Sequence, residues 1–192
     1  MNKVVFSEEE GQLLIEQARL AILSYLNDEE YPELINIPEN FNKHLGVFVT
    51  LNKNNNLRGC IGTFEAEEPL YKEVQEMAIY SAFYDNRFNM LQLEEIDDIE
   101  IEISILTEPE LVEVDIFEEY FSKIDLGVDG LKIEKNNNVS VFLPQVPLEQ
   151  GWDMDNYLEN LCYKAGLPKD AWKENDTKLY KFQAQIFEEK NE

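Results

Sequence analysis

The sequence predicts an α+β fold: two subdomains built from a strand-strand-helix-strand duplication, with antiparallel sheets flanked by helices. Three observations carry that expectation. "IEIEISIL" alternates strictly, with Ile99, Ile101, Ile103 and Ile105 on one side and Glu100, Glu102 and Ser104 on the other. A strand covered on both faces would not carry charges at alternate positions, so this one is antiparallel or half exposed. Apolar residues recur with helical spacing in two segments before it. The element order then repeats: "HLGVFVTL", an Asn-rich turn and "LRGCIGTF" in the first half answer to "DGLKIEKNNNVSVFLPQV" in the second, Lys53 and Lys135 opening the two turns.

The elements follow in order. Ser7 and Glu10 have capping-box spacing, and Leu14, Ala18, Ala21, Ile22 and Tyr25 share one face, so 7–26 reads as an amphipathic helix. Pro32 and Pro38 amid acids make Asn27–Asn40 a loop. Two β-prone runs around "NKNNN" form a hairpin. Pro69 opens a second helix, with Leu70, Val74, Met77, Ala78, Ser81 and Ala82 inward as far as Tyr84, and "DNRFNM" breaks its period. After the strand at Ile99 comes a short helix around Phe117–Ile124 and then the second hairpin. Asp153 caps another helix with Tyr157, Leu158, Leu161, Cys162 and Ala165 inward and Gly166 at its end. "LYKFQAQIF" reads as a last strand with Tyr180, Phe182, Ala184 and Ile186 on one face.

At 192 residues the chain suits one domain, with approximate halves 1–110 (N-terminal helix plus first repeat) and 111–192 (second repeat). If the halves are duplicated they face each other, and the cleft between them is the expected site for a small molecule or peptide. Hydrophobic residues at 44% and charged ones at 29% are ordinary globular usage. The net charge of −24 repels phosphate backbones and anionic lipid, so neither nucleic acid nor membrane is an expected partner. The start "MNKVVFSEEE" lacks a basic region followed by an apolar run, which points to the cytoplasm. Cys60 and Cys162 are read as reduced thiols, and with no His/Cys cluster neither a metal nor another cofactor is expected.

Chemistry concentrates in "NNNLRGCIGTF", where Asn52–Phe64 contains Lys53 and Arg58 and no acid although the chain has 40 acidic residues. Residues two apart on a strand share a face, so Arg58, Cys60 and Gly62 are expected on one side and Leu57, Gly59 and Ile61 on the other. A guanidinium beside a thiol favours the nucleophilic thiolate. Gly59 and Gly62 mark a bulge or the close approach of another backbone or a ligand. The combination suits a small anionic or carbonyl-bearing molecule held by Arg58 and backbone amides beside Cys60. The alternative is a buried thiol, a salt-bridged arginine and glycines that serve packing. His44, the only histidine, lies just before the first strand and offers no Cys-His arrangement. Glu102 reads as a solvated residue of the polar face.

"LRGCIGTF" resembles the signature of the AMMECR family, whose prokaryotic members are called protein A of the AmmeMemoRadiSam system. The similarity continues through "SAFYDNRF", "IEISILTEPE", "VDGLKIEK", "FLPQVPLEQGWD", "LCYKAGLPKDAW" and "LYKFQAQIFEE". "RFNM" departs from it where many members have proline after Arg-Phe. The resemblance implies two subdomains with the signature near the cleft between them, and it brings no established reaction. It implies partnership with radical-SAM and Memo-like proteins of the same system. It makes Arg58, Gly59, Cys60, Ile61 and Gly62 the first site residues, and adds Asp85, Arg87, Gln145, Gln150 and Trp152. Asp85 and Arg87 also have the spacing to satisfy each other, and Trp152 to supply packing area. Two functions follow: a cysteine-dependent enzyme, with Cys60 and Arg58 catalytic, in a modification pathway, or a non-catalytic module that presents the groove to a peptide, metabolite or partner enzyme.

Overall fold

The computed structural model describes residues 6–30 and 37–190. The fold is α+β, and the chain divides into two compact units, one running to Thr107 and resuming at Gln185, the other Glu108–Ala184. The expected loop at Asn27–Asn40 falls partly outside the described residues.

The first unit begins with α1 (Glu8–Leu26), where Ser7 and Glu10 close a reciprocal capping box: Glu10 N–H donates to Ser7 Oγ at 3.1 Å and Ser7 N–H to Glu10 Oε2 at 2.8 Å. The hairpin β1 (Val47–Lys53) and β2 (Asn56–Thr63) turns through Asn54 and Asn55, both in the left-handed region that asparagine tolerates. Next come α2 (Leu70–Phe83) and β3 (Ile99–Leu106). Val47, Val49, Leu51, Ile101 and Ile103 point to one face and bury against Leu14, Ala18, Val74 and Ala78 of the two helices. Tyr25, expected inward, is 44% exposed, because it stacks on Phe83 at 4.5 Å and its hydroxyl meets that of Tyr84 at 2.6 Å.

In the second unit β4 (Glu110–Leu111), α3 (Tyr120–Lys123), the hairpin β5 (Gly130–Lys135) and β6 (Asn138–Phe142), α4 (Val146–Glu149), α5 (Met154–Lys164) and β7 (Lys178–Phe182) surround a core that includes Leu131, Ile133, Tyr157, Leu161, Trp172 and Leu179. Asp153 caps α5 by accepting from Asn156 N–H at 2.9 Å. The segment expected as one final strand is two. β7 stays in this unit, while β8 (Ala184–Glu188) joins the first sheet, where Phe187 packs over Gly11 of α1 and Ile186 is exposed.

Among the described residues the strands form two four-stranded sheets, ordered β2-β1-β3-β8 and β4-β7-β5-β6. The strand-strand-helix-strand order therefore recurs, with the first hairpin strand central each time. Stepping inward from the two turns, Lys53↔Asn56, Asn52↔Leu57 and Leu51↔Gly59 correspond to Lys135↔Asn138, Glu134↔Val139 and Ile133↔Ser140. Only the first series skips a residue, Arg58. Among the described residues no helix is long and apolar enough to cross a membrane.

Candidate functional site

The skipped residue decides the layout of the site. Between Leu51 and Asn52 the β1–β2 register shifts, so Arg58 is the extra residue of a β-bulge and has no cross-strand partner. Alternation fails there, and the expected Arg58–Cys60 pair does not form. Instead the Arg58 guanidinium grips Glu95, Nε to Oε1 at 3.2 Å and Nη2 to Oε2 at 3.0 Å, and Lys53 Nζ joins at 3.2 Å. Chiefly through the Arg58 hydrogen bonds, Glu95 is held down at about 2.

Both signature glycines make room for the protein itself. A Cβ on Gly59 would overlap the Ser81 carbonyl oxygen of α2, and one on Gly62 would overlap the Phe48 ring and the Val47 carbonyl. Ser81 ties the helix to the hairpin. Its Oγ accepts from Ile61 N–H at 2.8 Å and donates to the Val49 carbonyl at 2.7 Å, bridging the register pair Val49↔Ile61.

β2 is the edge of its sheet, and Asp85 with Arg87 closes that edge at one residue. Cys60 N–H donates to Asp85 Oδ2 at 2.9 Å, and Arg87 Nη2 donates to the Cys60 carbonyl at 3.0 Å. The two side chains also bind each other, Arg87 Nε to Asp85 Oδ1 at 2.9 Å and Nη2 to Oδ2 at 2.7 Å. Together they offer an acceptor and a donor where a neighbouring strand would. Asp85 is buried at 5% exposure and lies at about 2, held there first by the Arg87 hydrogen bond. The amides expected to cradle a ligand at Cys60 and Ile61 are thus bonded within the fold.

The Cys60 thiol points away from the helices. Thr50 pairs with Cys60 on one side and with Glu102 on the other, so Cys60, Thr50 and Glu102 form a row across three strands, each half-buried. Thr50 Oγ1 donates to Cys60 Sγ at 3.3 Å. Burial pushes the thiol up, the Thr50 hydroxyl and the Arg87 charge pull it down, and Asp85 and Glu102 push it up again. The net direction is upward, so the resting group is the thiol rather than the thiolate that an adjacent Arg58 was expected to favour. Glu102 is also pushed up, by burial and then by Glu188. A cavity of about 370 Å³ lined by Asn52, Asn55, Glu100, Glu102 and Glu188 adjoins the row. Sequence reasoning placed Glu102 on the polar face but had no register to set it opposite Thr50.

The other expected residues lie in the second unit. Gln145 precedes α4 and Gln150 follows it, exposed, while Trp152 packs edge-on against Phe142 at 5.4 Å between ring centres. His44 is exposed, Cys162 is sealed in the core, and among the described residues no group of three His, Cys, Asp or Glu is placed to hold a metal ion.

A family model described as AMMECR1 matches residues 15–187. A protein from Methanothermobacter thermautotrophicus is 45% identical over 190 residues, covering 98% of this chain and 99% of its own. Protein MJ0810 of Methanocaldococcus jannaschii is 46% identical, with 94% and 90% covered. The crystal structure of uncharacterized protein PH0010 from Pyrococcus horikoshii superposes with a TM-score of 0.85 at 45% identity, over 96% of this chain and 94% of that one. None of these names states a function.

Proposed function

The chain belongs to the AMMECR1 family, and on that premise we propose that it is an enzyme using the Cys60 thiol on a small, uncharged, carbonyl-bearing molecule seated over Thr50. The observation that supports this reading is the cross-strand row of Cys60, Thr50 and Glu102 on the face the helices leave open. Strands lie about 4.8 Å apart, so Cys60 and Glu102 are roughly 10 Å apart at the backbone, too far for contact and right for a small molecule between them. Sγ would add to the carbonyl carbon as the π electrons move to oxygen. The thiol proton leaves to water, and the neutral form of Glu102, on the far side of the bound molecule, gives its proton to that oxygen and regains one from solvent. A carboxyl pushed up by burial suits such a donor, and the Thr50 hydroxyl steadies the sulfur as it loses its proton. An anionic substrate fits less well, because Arg58 and Arg87 are already bound to carboxylates and Glu102 faces the same space. The modification pathway implied by the resemblance is a setting in which such an activity belongs.

Iodoacetamide labelling across pH tests the thiol, with Cys60→Ser as the blank. Labelling is expected to rise with an inflection above the ordinary thiol value of about 8.5. Thr50→Val should move that inflection up and Glu102→Gln should move it down. Addition to a small aldehyde, followed by the NMR signal of a labelled Cys60 Cβ, should be slowed in Glu102→Gln. A Cys60 that stays inert to both reagents in the folded protein removes the enzymatic reading. The binding-module reading is favoured by one observation, that Arg58 and the Cys60 and Ile61 amides all serve the fold. It gains if Cys60→Ser leaves function in cells intact.

A further inference from the structure

On the outer side of β2, away from the thiol, Ile61, Tyr80 and Tyr84 line an open cavity of about 360 Å³ that the Cys60 chemistry does not use. Tyr80 and Tyr84 are 39% and 56% exposed and stand edge to face, ring centres 5.5 Å apart at 74°. An edge-to-face pair leaves a corner where one point meets the faces of both rings, and Ile61 floors it. Tyr25 braces the outer ring, its own ring 6.3 Å from Tyr84 at 74° and its hydroxyl 2.6 Å from the Tyr84 hydroxyl.

We propose that this tyrosine corner is a binding site for a small organic cation of the quaternary-ammonium type. Aromatic faces set at right angles attract a diffuse positive charge through their quadrupoles, and a methylated ammonium also buries its methyl groups against the rings and Ile61. Charge favours the same ligand. The Glu76 carboxylate, one turn before Tyr80 on α2, acts on the Tyr80 hydroxyl and pushes it up, which sets a negative charge beside the corner. The nearby cation, Arg87, is matched by Asp85, and the chain as a whole carries −24.

The test compares choline with 3,3-dimethylbutan-1-ol, its uncharged isostere, using protein with ¹³C-labelled tyrosine rings and NaCl-matched buffers. Choline is expected to shift the Tyr80 and Tyr84 ring signals saturably, and the alcohol to do so several-fold more weakly. Tyr84→Leu should weaken choline binding about two- to fivefold, the range for one exposed ring. Tyr80→Phe, which keeps the ring but loses Glu76, should weaken it less than Tyr80→Leu. Equal shifts from the two probes, no shift beyond that of NaCl, or choline shifts unchanged in Tyr84→Leu would each overturn the proposal. The two-probe comparison needs only the wild-type protein, so a variant that fails to fold does not shield it. Cys60→Ser should bind choline normally, which keeps this site's fate separate from that of the thiol.

Discussion

Asp85→Asn tests the clamp on the signature strand. In the wild type the Asp85 carboxylate accepts from Cys60 N–H, Arg87 N–H, Arg87 Nε and Arg87 Nη2 while almost wholly buried. Its carboxyl lies at about 2 against an ordinary 3.8. A depressed carboxyl contributes stability that is complete above the unfolded value and lost as pH falls through the folded one. The window here therefore runs from about pH 4 down to about pH 2, and the shift corresponds to about 2 kcal/mol at neutral pH. The amide cannot accept from Cys60 and Arg87 together without turning its NH₂ toward a donor. Urea unfolding of wild type and Asp85→Asn at pH 7 should differ by about 2 kcal/mol, and the difference should shrink toward zero as pH approaches 2. Cys60 labelling should also accelerate, since the strand edge is freed. A pH-independent difference, or a loss under about 0.5 kcal/mol at pH 7, would show that the clamp does not hold the strand.

Other outcomes follow from the same geometry. Gly59→Ala drives a methyl into a helix carbonyl that cannot rotate away, so it should cost about 3 kcal/mol in chemical denaturation, the upper part of the overpacking range. Ser81→Ala removes the bridge between Ile61 and Val49, and a loss of about 1–3 kcal/mol with faster hydrogen exchange at Ile61 is expected. Thiol counting should find Cys60 alone in the native protein and both cysteines after unfolding, because Cys162 is fully buried; a native count of two would contradict the core described around α5.

Much of the fold was legible because local chemistry agreed with it. The Ser7–Glu10 box, the Asp153 cap, the asparagine turns and the isoleucine alternation of β3 each act over a few residues, and each is realised. Cys60, Asp85 and Arg87 were also legible as candidates, through the resemblance, and they do converge. Three features were not legible, each for a non-local reason. A bulge was legible in Gly59, but that it would turn Arg58 away from Cys60 depends on the register with β1, which no single strand encodes. Glu102 gained its place opposite Thr50 only through the β1–β3 pairing. Tyr180, Phe182, Ala184 and Ile186 of "LYKFQAQIF" alternate, yet the chain changes sheets at Gln183, where Phe182 packs on Gly130 in one sheet and Phe187 on Gly11 beside the other.

The matched hairpins carry one more implication. Where Ser140 sends its hydroxyl to the Leu161 carbonyl of its helix at 2.6 Å, the counterpart Gly59 lets the Ser81 carbonyl rest against bare backbone. The two hairpins differ by one residue in register, Arg58, whose extra place in the strand turns its guanidinium to Glu95. Deleting Arg58 would make Leu51↔Gly59 and Asn52↔Leu57 adjacent pairs, as in the second hairpin, leaving every neighbouring side chain on its present face and Glu95 without its guanidinium.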